Sequence, residues 1–147
     1  MGRRNFILIA LLALGLDQIS KWLAVTRLAQ QRINCGVFDL NYVTNTGGAF
    51  GMFPKMSWLY TIVGLAVIAV IWASLNKILA LPKAYQWCMA LVAGGALGNI
   101  VDRLRLKHVV DFIDFRFWPV FNLADSFIFV GVLGLIVLEL KGKKADA

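Results

Sequence analysis

Four long apolar segments constrain the fold of this chain more than any other feature. They cover about residues 6–25, 58–75, 84–101 and 120–140. A helix needs roughly 20 apolar residues to cross the hydrocarbon core of a bilayer, so each segment is close to the length of one crossing. We therefore predict an all-α membrane protein with four transmembrane helices, in a single integral membrane domain that covers residues 1–147.

The composition agrees with a membrane protein and argues against a nucleic-acid partner. Hydrophobic residues make up 60% of the chain and charged residues 16%, whereas a soluble domain carries about 25% charged residues. The net charge is +7, but the basic residues lie at the chain ends and between the apolar segments, without interleaved aromatic residues. We expect these cations to set the topology and to contact membrane lipids.

The basic residues also predict the orientation. One side of the predicted bundle carries Arg3, Arg4, Lys77, Lys83, Lys141, Lys143 and Lys144. The positive-inside rule places this side, and with it both termini, in the cytoplasm. Segments 26–57 and 102–119 are then extracytoplasmic, although that side also carries cations, namely Arg27, Arg32, Lys55, Arg103, Arg105, Lys107 and Arg116.

Two aspartates, Asp111 and Asp125, lie within apolar sequence where a bilayer would oppose them. A carboxylate at membrane depth costs roughly 3 kcal/mol on insertion scales, so such a residue usually has a function. The two are 125 − 111 = 14 positions apart, too far to share one helix face. A fold-back that brings them together would create a membrane acid–base pair.

Other polar residues in the apolar segments have simpler explanations. Asp17 and Lys21, four residues apart, favour a structural ion pair on a retained helix over a cleaved signal peptide. Asn99 and Asp102 lie three residues apart, and Asp102 next to Arg103 is typical of an ion pair or a cap at a helix end. Packing against a neighbouring helix explains Gly94, Gly95 and Gly98, and helix capping is an alternative for Asn122 and Asp125.

The predicted extracytoplasmic segments contain β-rich sequence. Residues 37–44 partly alternate apolar and polar side chains, as a half-buried strand does, and Asn45 and Gly47 follow in a glycine-rich turn. The turn is either an ordinary glycine turn or a place where an extended substrate approaches the backbone. Residues 106–117 also read as extended, and Pro119 interrupts the chain before the fourth apolar segment.

The sequence argues against metal and nucleotide chemistry. It contains one histidine, and its two cysteines, Cys35 and Cys88, are far apart, so no zinc-ligand spacing is present. Motifs for serine nucleophiles, phosphate-binding loops and zinc proteases are missing. We expect no metal and no cofactor.

Taken together, the polar motifs resemble those of the lipoprotein signal peptidases, the type II signal peptidases of bacteria. The resemblance covers nearly the whole chain, through Asp17-Gln18-x-x-Lys21, Asn45-Thr46-Gly47-Gly48-Ala49-Phe50, Gly98-Asn99-x-x-Asp102-Arg103, Val109-Val110-Asp111-Phe112 and Phe121-Asn122-Leu123-Ala124-Asp125-Ser126. Each motif is unspecific alone, whereas five in this order on four predicted crossings are highly specific. Gly48 departs from the alanine that the family more often has there.

The resemblance implies an aspartic endopeptidase of the bacterial inner membrane, with a small extracytoplasmic β-rich cradle. We expect it to be a monomer. Its substrates would be diacylglyceryl-modified prolipoproteins, cut just before the lipidated cysteine to release the signal peptide. By position, Asp111 and Asp125 match the catalytic pair. The resemblance also assigns supporting or substrate-binding roles to Asp17, Lys21, Asn45, Gly47, Asn99, Asp102, Arg103 and Asn122.

Three other interpretations compete with this one. A small transporter or proton-relay bundle would also use intramembrane acids, but the acids here map toward one predicted outer face rather than to mid-span. A presenilin-like protease would need a Gly-x-Gly-Asp signature, which the sequence lacks. A purely structural subunit would leave the five polar motifs unexplained.

Overall fold

The computed structural model describes residues 1–47 and 56–145, with side chains up to residue 142, so Gly48 and the rest of its turn lie outside the described residues. The described chain is mostly helical. Five helices and three strands follow in the order α1 (Arg3–Leu28), β1 (Ile33–Asn34), β2 (Asp39–Asn45), α2 (Ser57–Ala73), α3 (Leu75–Ala80), α4 (Lys83–Leu106), β3 (Val109–Asp114) and α5 (Leu123–Ala145).

Within the described residues, three stretches of helix are long and apolar enough to cross a membrane. They are Arg3–Leu28, Lys83–Leu106 and Leu123–Gly142. Helix α2 is also apolar but has only 17 residues, and Ser74 separates it from the short helix α3. Three of the four predicted crossings are therefore supported by length and composition.

Two helices have bounds that differ from those of the predicted crossings. Helix α4 continues past residue 101 to Leu106, because no residue interrupts it before Lys107, whose left-handed backbone (φ 68°) ends the helix. Helix α5 begins at Leu123 instead of residue 120, because the preceding residues are extended and Phe121 pairs with the sheet. As a result Asp102 lies inside a helix, and Asn122 immediately precedes one.

The three strands form one antiparallel sheet in the order β1-β2-β3. Asn45 pairs with Val109 and Val43 with Asp111, with an irregularity between Leu40 and Val43. Buried Val110 and Phe112 of β3 pack against the last turns of α1. The β-rich character predicted for this region is confirmed, although β2 begins at Asp39 rather than at residue 37.

The chain folds back between β3 and α5. Arg116 adopts a left-handed backbone (φ 68°), and the returning segment forms an antiparallel bridge between Phe121 and Ile113. The N–H groups of Phe112 and Ile113 donate to the Phe121 carbonyl oxygen at 3.0 and 2.8 Å. This bridge places Asn122 beside Asp111, as a fold-back joining the two aspartates requires.

Helix α4 is the centre of the bundle and packs against α1, α2 and α5. Its glycines permit close approach, since a Cβ added at Gly94 would lie 2.5 Å from the Ala10 carbonyl oxygen, and one at Gly95 would lie 2.4 Å from that of Ala124. Small residues at membrane helix interfaces have this effect. The polar residues of α4 are thereby held near α1 and α5.

Candidate active site

Asp111 lies on β3 and is 2% exposed. Its two oxygens accept hydrogen bonds from neutral amides: Asn122 Nδ2 donates to Oδ1 at 2.7 Å, and Asn45 Nδ2 donates to Oδ2 at 2.9 Å. Burial, followed by the charge of Asp125, raises the pKa of Asp111 to about 7, against the opposite effect of the two amide hydrogen bonds. A proton is therefore held on this carboxyl close to neutral pH.

Asp125 lies in the first turn of α5 and forms a reciprocal cap with Asn122. The Asp125 N–H donates to Asn122 Oδ1 at 2.9 Å, and the Asn122 N–H lies 3.4 Å from Asp125 Oδ2. This is the capping geometry typical of helix N-termini. Helix capping thus explains part of the position of Asp125. In addition, Asp125 Oδ1 accepts a hydrogen bond from Asn99 Nδ2 at 2.7 Å.

Two asparagines connect the acids. Asn122 is fully buried, and its Nδ2 donates both to Asp111 and, at 3.2 Å, to Asn99 Oδ1. Asn99 in turn donates to Asp125. The structure therefore brings Asp111, Asp125, Asn45, Asn99 and Asn122 into one network.

A buried ion cluster lies behind this network. Lys21 Nζ is 2.9 Å from Asp17 Oδ2, 3.0 Å from Asp102 Oδ2 and 3.0 Å from Asn99 Oδ1. The predicted Asp17–Lys21 pair is confirmed. The pairing expected between Asp102 and Arg103 is wrong, because within α4 Asp102 faces Lys21 of α1 instead.

The cluster also holds the backbone next to both acids. Asp17 Oδ1 accepts a hydrogen bond from the N–H of Ala124 at 2.9 Å, one residue before Asp125. Asp102 Oδ2 accepts one from the N–H of Val110 at 3.1 Å, one residue before Asp111. The buried carboxylates thus fix the positions from which the two acids project.

Arg103 and the loop after β2 complete the site. Arg103 Nη2 lies 3.4 Å from the Gly47 carbonyl oxygen, and Nη1 lies 3.4 Å from that of Asn99. The Gly47 N–H donates to Asn45 Oδ1 at 2.9 Å, which forms a turn at the end of the strand. Arg103 also lies over the ring of Tyr60, with 5.5 Å between its Cζ and the ring centroid.

A cavity of about 690 Å³ opens beside these residues. Its polar lining includes Asn45, Asn99, Arg103 and Asp125, while Asp111 lies behind Asn45. The remaining wall is mostly apolar and follows the fold-back and the first turns of α5, through Val109, Phe115, Phe117, Trp118, Pro119, Val120, Phe121, Ile128, Phe129, Val130 and Val132. An apolar chain with one polar bond to be processed fits such a cavity.

Two contacting residues were not among the predicted site residues. Gln18 Nε2 donates to Asp102 Oδ1 at 3.0 Å and to the Gly98 carbonyl oxygen at 3.2 Å. A polar amide inside an apolar helix, next to Asp17, is a signal that could have identified Gln18. Tyr60 has no comparable signal, because an aromatic residue near the start of an apolar helix is ordinary.

A separate charged cluster supports the sheet. Asp39 is buried and forms ion pairs with Arg32 and with Arg116, whose Nη2 is 2.8 Å from Asp39 Oδ1. The hydrogen bonds from Arg116, and then from Arg32, lower the pKa of Asp39 to about 2. These contacts tie the β1–β2 hairpin to the fold-back that leads to Asn122.

Comparison with known proteins agrees with this arrangement. Residues 9–141 match the model of the family described as signal peptidase (SPase) II. A lipoprotein signal peptidase of Moorella thermoacetica is 40% identical over 87% of each chain, and one of Pelotomaculum thermopropionicum is 45% identical over 86% of this chain and 84% of its own. A solved bacterial membrane enzyme superposes with a TM-score of 0.90 at 26% identity, covering 99% of this chain and 93% of that one.

The apolar helices and the fold shared with a solved membrane enzyme define the class of the protein, which is a membrane enzyme. More specifically, the chain belongs to the signal peptidase II family. It is therefore a peptidase that removes signal peptides from prolipoproteins, and the predicted family and activity are confirmed. This assignment displaces the transporter and proton-relay alternative.

Proposed function

We propose that this signal peptidase is an aspartic endopeptidase that cleaves diacylglyceryl-modified prolipoproteins just before the lipidated cysteine, with Asp111 and Asp125 as its catalytic pair. The observation that carries the proposal is the pair itself. Two carboxyls from separate elements share Asn122 and receive their side-chain hydrogen bonds from neutral amides. One of them, Asp125, lines a mostly apolar cavity.

Peptide hydrolysis needs one carboxylate and one carboxylic acid. Two coupled acids in a poorly hydrated site do not both ionise readily, so they retain one proton between them. Asp111, with its pKa raised to about 7, is the acid that holds this proton. Asp125, on the cavity wall, is the carboxylate that faces water.

The proposed reaction balances without a metal or a covalent intermediate. Asp125 accepts a proton from water while the water oxygen attacks the scissile carbonyl carbon, and Asp111 donates its proton to the carbonyl oxygen. The tetrahedral intermediate then collapses, its C–N bond breaks, and the proton on Asp125 passes to the leaving amine. One hydroxyl proton of the intermediate returns to Asp111, leaving a carboxyl end on the signal peptide and a free amino group on the cysteine.

The remaining polar residues have positioning roles in this proposal. Asn45, Asn99 and Asn122 orient the two carboxyls through their side-chain amides. Arg103 borders the cavity where an extended peptide would pass, and it contacts the Gly47 carbonyl oxygen next to it. Asp17, Lys21 and Asp102 anchor the backbone beside the catalytic pair.

We further propose one integral domain with four crossings, in which helices α2 and α3 together make the second. Arg3 Nη2 donates to Asn76 Oδ1 at 3.0 Å, so the N-terminus lies near the basic α2–α4 connection, while the other end of α1 packs against the sheet. This arrangement supports cytoplasmic termini in the bacterial inner membrane and an extracytoplasmic active site.

A cysteine replacing exposed Lys107, in a chain without Cys35 and Cys88, should react with an impermeant thiol reagent in intact cells. Labelling only after lysis would reverse the orientation.

A lipidated substrate suits a site at the membrane surface. The acyl chains stay in the bilayer while the peptide enters the cavity. A monomeric enzyme then meets its substrate by lateral diffusion among membrane lipids. Each buried CH₂ contributes about 0.8 kcal/mol to such partitioning. A prolipoprotein without diacylglycerol should therefore be cut far more slowly, and equal rates on the two forms would remove the lipid from recognition.

The catalytic pair is tested with purified Asp111→Asn and Asp125→Asn proteins and a diacylated prolipoprotein, followed by a gel shift. Each change removes one of the two proton-transfer groups and should lower the cleavage rate at least about a hundredfold. Asp114→Asn is the matched control on the same strand as Asp111; it pairs with Arg32 rather than with the network and should cleave at nearly the normal rate. Near-normal turnover by Asp111→Asn or Asp125→Asn would remove that residue from the pair.

A further inference from the structure

We infer that Tyr60 is a positioning residue for this peptidase: its ring holds the Arg103 guanidinium beside the two acids. The inference rests on the proposed roles of Asp111 and Asp125. Tyr60 lies in the first turn of α2, outside the five motifs that distinguish the chain. It adds helix α2 to a site whose other side chains come from α1, α4, α5 and the sheet.

The contact is a cation–π interaction between two helices. The Arg103 Cζ atom lies 5.5 Å from the centroid of the Tyr60 ring, within the roughly 6 Å over which such contacts are attractive. Both residues are partly buried. Because the surroundings are poorly hydrated, the contact is stronger than it would be at a solvent-exposed surface.

The other contacts of Arg103 are too weak to fix its head group. Its two hydrogen bonds, to the carbonyl oxygens of Asn99 and Gly47, are both 3.4 Å long. Its Nε atom is buried and has no hydrogen-bond partner among residues 1–47 and 56–142. Over the same residues Arg103 forms no ion pair. The neighbouring carboxylates Asp17 and Asp102 pair with Lys21 instead. Among residues 1–47 and 56–142, the Tyr60 ring is therefore the principal restraint on the guanidinium.

The position of this cation matters because it acts on the catalytic acids through space. Opposite charges nearby favour the ionised form of a carboxyl. If the guanidinium moves away, the shared proton is held more tightly and the balance between acid and base shifts. In the described part of the chain, the charged or titratable groups that face the site are Lys21 and Asp17 from α1, Tyr60 from α2, Arg103 and Asp102 from α4, Asp111 from β3 and Asp125 from α5.

The test compares Tyr60→Leu with Tyr60→Phe, which keeps the ring and loses only the hydroxyl group. Cleavage of a diacylated prolipoprotein is measured across pH, with thermal unfolding of each purified protein. We expect Tyr60→Leu to lose roughly ten- to thirtyfold in kcat, the equivalent of one desolvated cation–π contact, with little change in KM. The fall in the cleavage rate of Tyr60→Leu at high pH should shift to higher pH. Tyr60→Phe should retain the wild-type pH profile, with a rate within about threefold of the wild type.

Trp58→Leu is the control for loss of an aromatic residue from the same helix, because Trp58 is 62% exposed. It should cleave normally. If the pH dependence of cleavage by Tyr60→Leu matched that of the wild type, the inference would be overturned even if kcat fell. A smaller folded fraction lowers the rate without changing its pH dependence. Equal losses in Tyr60→Leu and Tyr60→Phe would also overturn it. Wild-type protein that fails to cleave the lipidated substrate would instead defeat the proposed function.

Discussion

Replacing Lys21 with methionine tests the buried ion cluster most directly. Methionine keeps most of the volume of the side chain but removes the ammonium group that contacts Asp17, Asp102 and Asn99 at 2.9, 3.0 and 3.0 Å. Lys21 is 3% exposed, Asp17 is 0% exposed and Asp102 is 3% exposed. Water therefore cannot replace the lost partner without opening the helix interface.

The magnitude follows from leaving buried carboxylates without their counter-ion. Removing one partner of a buried ion pair costs about 3–5 kcal/mol, a large part of the roughly 5–15 kcal/mol that stabilises a folded domain. For a chain of this size the loss corresponds to a fall of roughly 6–20 °C in melting temperature. Lys83→Met is the matched control, since Lys83 is exposed and the same change there should alter stability by no more than about 0.5 kcal/mol.

The assay is thermal unfolding of purified protein in detergent, with Asp17→Asn and the double variant Asp17→Asn/Lys21→Met completing a cycle. The two single losses should not add, because the residues contact each other and such pairs are coupled by about 0.5–3 kcal/mol. If Lys21→Met unfolds at the temperature of Lys83→Met, the ammonium group does not stabilise the cluster. Strict additivity in the cycle would refute the direct pairing of Asp17 with Lys21.

Two further predictions concern the titration of the acids and the packing of α4. The pKa of Asp111 is raised to about 7 in the folded protein, so its contribution to stability is complete below its unfolded pKa of about 4 and is lost as pH rises toward 7. Between about pH 4 and 7 the melting temperature of Asp111→Asn should therefore rise relative to that of the wild type, and a constant difference would contradict the assignment. Asp39→Asn is the control, because the pKa of Asp39 is about 2 and the difference in melting temperature should stay constant over this range. A Cβ added at Gly98 would lie 2.3 Å from Asp17 Oδ2, so Gly98→Ala should lower both the melting temperature and the activity. Gly15→Ala is the control and should lower neither, because nothing lies within 4 Å of its new Cβ. A Gly98→Ala protein with normal stability and activity would show that the Asp17 side chain moves without cost.

Much of the fold follows from local sequence. Apolar runs of near-crossing length predicted the positions of α1, α2, α4 and α5, and the β-branched and aromatic run after residue 37 predicted a strand. The helix ends differ from the ends of the predicted crossings, because α4 and the fold-back depend on the left-handed residues Lys107 and Arg116. A lysine and an arginine give no local signal of that conformation.

The site was predictable as a set of residues but not as a set of contacts. Asp17, Asn99, Asp102, Asp111, Asn122 and Asp125 stand out because each is a polar residue in apolar sequence. Sequence spacing paired Asp102 with its neighbour Arg103, whereas the packing of α1 against α4 pairs it with Lys21, 81 positions earlier. Partners across a helix interface depend on helix rotation, which spacing along one helix does not determine.

The separation of the Lys21 ammonium from the acid pair suits the chemistry proposed for the site. The side chains of Asp111 and Asp125 receive hydrogen bonds from the amides of Asn45, Asn99 and Asn122, which orient a carboxyl without adding a positive charge. The buried ammonium of Lys21 instead pairs with two other carboxylates, which in turn hold the backbone at Val110 and Ala124. A cation in direct contact with the acid pair would favour two ionised carboxylates and expel the shared proton. Keeping the Lys21 ammonium one layer away suits the one acid and one base that the proposed metal-free peptide hydrolysis requires.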